Sequence, residues 1–324
     1  MDYLSWYKQQ PKMKNLRYYL LLMAFLPGLA FSQNLAEKLG YPSDAKVLII
    51  HGDDVGVSHS QTKATFDAMK IGIVNSTSMM VPTGWSAEVG EMAKEMPGAD
   101  IGIHITLTNE WLNFNWGPEA GRTAVPGLAN EKGHMYSNCA EVSANASPQE
   151  VEMEIRAQIK TANQMGIVPT HLDSHMGCVF YGRPEYLKSY LTIAQELKIP
   201  AMINQQIVDN IINPNSALFE GINVDHFPVI DQLFMAEPED YESGMEEYYT
   251  NSINNLSSGL NLILIHLAFD NEEMNAVTQG HDTYHAPWRQ ADYNFFTSEK
   301  ARELLKKNNV KLVTWREVGK TMQF

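Results

Sequence analysis

The sequence has only two cysteines, Cys139 and Cys178, in 324 residues. Two are too few for a disulfide framework; they could bond once in an oxidising compartment, or both stay free. Basic side chains are scarce as well: 24 Lys and Arg stand against 38 Asp and Glu, a formal net charge of −14. A chain of that sign makes a poor partner for nucleic acid or an anionic membrane surface. No apolar run reaches the roughly 20 residues that a membrane-spanning helix needs, so no transmembrane anchor is expected. Tandem repeats and low-complexity blocks are absent, which excludes a repeat array.

What the N-terminus does contain is an ordered pattern. Lys12-Met13-Lys14-Asn15-Leu16-Arg17 is basic, Tyr18–Phe31 is apolar, and Ala30-Phe31-Ser32 is a small-x-small site. That order is the order of a secretory signal peptide. Residues 1–32 are therefore read as an N-terminal extension plus a signal peptide cleaved near Ser32, and residues 33–324 as one domain. A secreted or periplasmic location is expected, with a buried N-terminal helix as the alternative. No cysteine follows the cleavage site, so no lipid anchor is expected.

Beyond it, strand and helix patterns alternate about seven times, which points to a barrel-like α/β architecture. Val47–Ile50 reads as a strand covered on both faces. Gln61–Lys70 reads as a helix stopped at Gly72, and Ser86–Met96 as another. Asp100–Leu107 alternates strictly, placing Ile101, Ile103, Ile105 and Leu107 on one face and His104 on the other. Ser147-Pro148-Gln149-Glu150 is a capping box that opens a long helix. Ile167–Leu172, Ile199–Ile203, Asn261–Leu267 and Val310–Thr314 are further strand candidates. Residues 108–146 have little periodicity and are read as a functional excursion.

Strand ends carry the chemistry. Asp53-Asp54 close the first, His104 lies in the third, His171-Leu172-Asp173-Ser174-His175 closes a later one, and His266 ends Asn261–Leu267. Adjacent carboxylates repel unless a cation or a proton sits between them. If the strands are parallel neighbours, a carboxylate and two imidazoles can meet one divalent cation, of Zn, Mg, Mn, Ni, Co or Fe, at one rim. Each histidine taken singly is more often a hydrogen-bonded core residue.

Four motifs in order resemble the YdjC-like carbohydrate deacetylases. Ile50–Gly56 stands where that family has a strand followed by Asn-Ala-Asp-Asp-Phe-Gly. Gly72–Met79, Gly102–Thr108 and Pro169–His175 follow, with Gln158 and Val310–Glu317 also fitting, so the likeness runs from about Lys46 to Gly319. It implies a distorted (β/α) barrel related to NodB-type polysaccharide deacetylases, one divalent metal ion, and hydrolysis of N-acetyl groups on amino-sugar oligosaccharides. Carried over by position, Asp54, His104 and His171 are the expected metal ligands and Asp53 the expected general base. His266 is the candidate general acid, facing the metal from across the barrel. His175 is its runner-up, and His175, Trp111 and Arg289 are expected at the substrate. The partner expected is an N-acetylated oligosaccharide, with a homodimer open as an assembly. Departures lie at His51-Gly52 (Asn-Ala in the family), at Val55 (Phe) and at Met176-Gly177-Cys178, where the family often has more histidines. They leave open a metallohydrolase of another amide or ester, or a non-catalytic carbohydrate-binding relative.

Overall fold

The computed structural model describes residues 34–322, so the segment read as a signal peptide, with its cleavage site, lies outside the described residues. Among the described residues nine strands are formed: β1 Lys46–Val55, β2 Ser76–Met79, β3 Ile101–Ile105, β4 Leu172–Ser174, β5 Ile203–Asn204, β6 Val229–Ile230, β7 Gln232–Met235, β8 Gly259–Ile265 and β9 Lys311–Leu312. Their pairings are parallel, in the order β4-β3-β2-β1-β8-β7, with β9 also against β1 and β5 against β6. Backbone bonds from Met202 N to Leu172 O (2.8 Å) and from Asp231 N to Leu260 O (2.9 Å) join the small β5–β6 pair to both sides of the curled sheet. The result is a distorted (β/α) barrel whose strands all end at one rim, the end where such folds place their chemistry.

Local sequence explains the elements that form. Ser58 caps the helix His59–Ile71, and Gly72 ends it at φ 105°, a left-handed turn that glycine adopts without strain. Ser147 and Glu150 form the expected capping box at the start of the helix Pro148–Gln164. The strand expected over Ile167–Leu172 begins later, at Leu172, and Ile199–Ile203 shrinks to Ile203–Asn204. Pro169 lacks the N–H that a regular ladder would use there.

Alternation sorts β1 into two layers. Leu48 and Ile50 pack outward with Ala64 and Ala68 of the following helix. Val47 and Ile49 face inward with Leu260, Leu262 and Trp315, which form an apolar floor. Among the described residues no helix is long and apolar enough to cross a membrane.

Cys139 and Cys178 are joined in a disulfide, 39 residues apart in sequence. Closing a loop of that length restricts the unfolded chain, worth about 4 kcal/mol on the chain-entropy account. Urea denaturation with and without reductant should show that difference; identical midpoints would mean the bond contributes nothing.

Candidate active site

Above the apolar floor the barrel interior turns polar. His51 and Asp53 continue the inward face of β1, Gly102 and His104 that of β3, and His171, Asp173 and His175 that of β4 and its flanks. The lower layer is fully buried. His51 Nε2 lies 2.8 Å from Asp173 Oδ2 and 3.0 Å from Asp53 Oδ1. Burial opposes a charge on His51, but hydrogen bonds to Asp173 and Asp53 outweigh it and raise the imidazole to about 9. His51 is thus the cation of that layer, and it neutralises Asp53 from below.

His171 belongs to this lower layer and not to the rim. Its ring stacks on Trp315 (5.4 Å) and meets His51 edge-on (5.0 Å), while Nδ1 bonds Thr170 Oγ1 at 3.0 Å. A Cβ on Gly102 would collide with its imidazole, so glycine is required beside it. Burial and the neighbouring His51 hold its imidazole well below the usual range, in the neutral form. The expectation that His171 joins Asp54 and His104 therefore fails on depth. Because β4 starts at Leu172, His171 precedes the strand and His175 follows it. At about 3.3 Å per residue those four positions separate them by about 13 Å.

At the rim, ligand-type atoms of Asp54, His104 and His175 all lie within 4.8 Å of one another. Asp54 Oδ1 is 3.4 Å from His104 Nε2 and 3.2 Å from His175 Nδ1. Nevertheless that oxygen has no hydrogen-bond partner among the described residues. Two nitrogens and an oxygen that approach without aligning on one another suit a shared cation, and the donor set of two imidazoles and a carboxylate fits Zn²⁺-like ions. The far nitrogens are held by carboxylates: His104 Nδ1 by Asp173 Oδ1 at 2.9 Å, His175 Nε2 by Glu110 Oε1 at 2.8 Å.

Both members of the Asp53-Asp54 pair face inward because the strand breaks its own alternation. Gly52 pairs with Thr77 but Val55 with Met79, so β1 carries one extra residue across that interval. Asp54 takes φ 64°, the left-handed region that Asp tolerates better than most residues. This is a β-bulge, a device that re-aims a side chain next to a site. The two acids then find different partners. Asp53 rests on His51, and Asp54 Oδ2 accepts from Arg289 Nη2 at 2.9 Å. Burial would discharge Asp54, yet His266, Arg289, His104 and His175 around it hold its carboxyl well below the usual carboxylate range.

The remaining expected site residues divide. Arg289 is buried, with its other nitrogens on Gln61 Oε1 (2.5 Å) and Tyr284 O (2.5 Å), so its donors hold Asp54 and the backbone in place of a sugar. Trp111 is only 3 % exposed, packed with Val57, Met80, Trp116 and Met274 and under the Arg289 guanidinium at 5.5 Å. Its ring covers the barrel mouth and does not stand open for stacking. His266 sits across from β3, with Nε2 3.7 Å from Asp54 Oδ2 and Nδ1 unpartnered among the described residues. Burial depresses its imidazole to about 4, and Asp292, which accepts its backbone N–H at 2.9 Å, is raised by burial to about 7.

Three residues that shape the site escaped the sequence reading: His51, Asp173 and Glu110. Asp173 had a signal, since His171, Asp173 and His175 share one face at spacing two. Glu110 had none, lying in a stretch without period.

Known proteins resemble this chain in sequence and in fold. The family model described as YdjC-like protein matches residues 47–307. A carbohydrate deacetylase of Thermus thermophilus is 27% identical over 298 residues, covering 89% of this chain and 99% of that protein. A chitooligosaccharide deacetylase of Serratia marcescens is 33% identical over 137 residues, 40% of this chain and 49% of its own. A solved chain from Enterococcus faecalis, described as a candidate cellobiose-phosphate cleavage protein, superposes with a TM-score of 0.69 at 23% identity. It covers 85% of this chain and 99% of its own, and it shares the fold. The protein belongs to the YdjC-like family.

Proposed function

We propose that this protein is a carbohydrate deacetylase that removes N-acetyl groups from amino-sugar oligosaccharides with the help of one divalent cation. The observation that carries the reading is the convergence of Asp54, His104 and His175 at the carboxyl rim of a parallel barrel. The names of its relatives supply the substrate class. Asp54, His104 and His175 would hold the cation, with His175 in the place expected for His171. When bound, a divalent cation polarises an acyl carbonyl and lowers the pKa of water.

The residues around that point have distinct tasks. Asp53 has one oxygen committed to His51 and the other, Oδ2, 3.7 Å from His104 Nε2, so it can take the proton of the attacking water. As the C–N bond breaks, the leaving amine needs a proton. His266, on the opposite wall, is the candidate to deliver it: with its imidazole near 4 it starts neutral, and the proton it passes to the amine is the one that Asp53 took from the water. Arg289 keeps Asp54 ionised and aimed inward.

Acetate release from N-acetylated chito-oligosaccharides tests the reading. Chelation should lower the rate about a thousandfold, several kcal/mol of lost stabilisation, and Zn²⁺, Mn²⁺ or Co²⁺ should restore it. No acetate from any such sugar, with turnover of a simple ester or another amide, would shift the protein to a different metallohydrolase. Sugar binding without turnover would make it a binding relative.

Export is part of the proposal. It is supported by the basic-then-apolar N-terminus and by the Cys139–Cys178 bond, a type of cross-link that persists in oxidising compartments. Mass spectrometry of the exported protein should find a new N-terminus near Gln33; a cytosolic chain keeping residues 1–32 would sink that point.

A further inference from the structure

The two rim imidazoles are oriented from different parts of the chain. Asp173, which holds His104, lies on β4 directly opposite His104 in the parallel register, inside the sheet. Glu110, which holds His175, comes from the irregular excursion after β3. Its side chain is 17% exposed, and Oε2 has no hydrogen-bond partner among the described residues. The excursion has other bonds that shape and hold it. Trp116 Nε1 donates to Thr108 O, Asn109 N to Tyr136 O, and the buried Glu154 accepts the backbone N–H groups of Glu119 and Ala120.

An imidazole left alone has two tautomers and two ring orientations, of which one presents Nδ1 to Asp54 with its lone pair free. An acceptor at Nε2 selects that arrangement, because the proton then sits on Nε2. We propose that Glu110 is a positioning residue for His175, which fixes that tautomer and so ties the placement of the excursion to cation affinity. The role rests on the reading of Asp54, His104 and His175 as the cation centre. Coupling of this kind is reciprocal: a bound cation steadies the excursion by as much as the excursion favours the cation.

The test is Co²⁺ titration of the full chain, freed of metal, with wild type, Glu110→Gln and Glu110→Ala side by side. Glu88→Gln serves as control, since the Glu88 carboxylate binds the exposed His59, which is not among the centre's ligand-type groups. One Co²⁺ per chain is expected in all. Kd should rise about 10-fold in Glu110→Gln and up to about 100-fold in Glu110→Ala, and stay unchanged in Glu88→Gln. Hydrogen exchange gives a second readout: Co²⁺ should slow exchange at residues 108–116 in wild type and not in Glu110→Ala. A role confined to packing would lower the melting temperature and leave Kd alone. Equal Kd in wild type and Glu110→Ala overturns the role while the centre stands, and Glu110→Gln carries the same comparison if the alanine variant does not fold. Wild type that takes up no Co²⁺ overturns the centre and the role together.

Discussion

His175→Ala is expected to abolish cation binding, whereas His171→Ala is expected to keep it and lose stability. The two histidines share a motif and a face of the chain, and only depth distinguishes them. His175 stands at the rim, 3.2 Å from Asp54 Oδ1, and supplies one of three ligand-type groups there. Its loss leaves one imidazole and a carboxylate, and turnover should fall about a thousandfold, ~4 kcal/mol of transition-state stabilisation. His171 is wedged between Trp315, His51 and Gly102. Truncating it opens a cavity under the site and costs about 3 kcal/mol, a drop of roughly 5–10 °C in melting temperature. Metal analysis and thermal melts on both variants decide it. Cation lost from His171→Ala but retained by His175→Ala would reverse the assignment.

The second large effect is expected at Asp53. Asp53→Asn preserves shape but removes the carboxylate's capacity to take a proton. If Asp53 is the acceptor for the attacking water, acetate release should fall about 10²- to 10⁴-fold with the cation still bound and sugar affinity little changed. Stability should hold, because His51 keeps Asp173 at 2.8 Å as its second partner. Acetate release within about threefold of wild type would remove Asp53 from that task, since general-base catalysis is worth far more. A collapse of cation binding would instead mean that Asp53 acts through the centre's charge.

Much of this was readable in advance, for a physical reason. Period-two alternation separates the faces of a strand, so His104 opposite to Ile101, Ile103 and Ile105 followed from the sequence alone. Alternation is blind to depth. Where β4 begins depends on how residues 167–171 meet β3 through single bonds such as Thr170 N to Ile101 O (2.9 Å), and no local pattern records that. The role of His51 depends on Asp173, 122 residues away. The strands β5 and β6 are only two residues each, too short to show a period. Arg289 is expected at the substrate, but it lies inside the helix Ala286–Phe296, buried against Asp54.

The extra residue in β1 makes the centre sensitive to chain length in a way that side-chain chemistry is not. A substitution at Asp53 or Asp54 changes one group and leaves its neighbours where they were. Only Asp53 and Asp54 lie between Gly52 and Val55, so deleting one residue there would restore strict alternation and leave a single carboxylate on the inward face where two now stand. That one acid would face both His51 and Arg289, which now have a carboxylate each, and one of the two would be left buried without its partner. In a lineage of such proteins this interval should therefore be held in length as firmly as in residue identity.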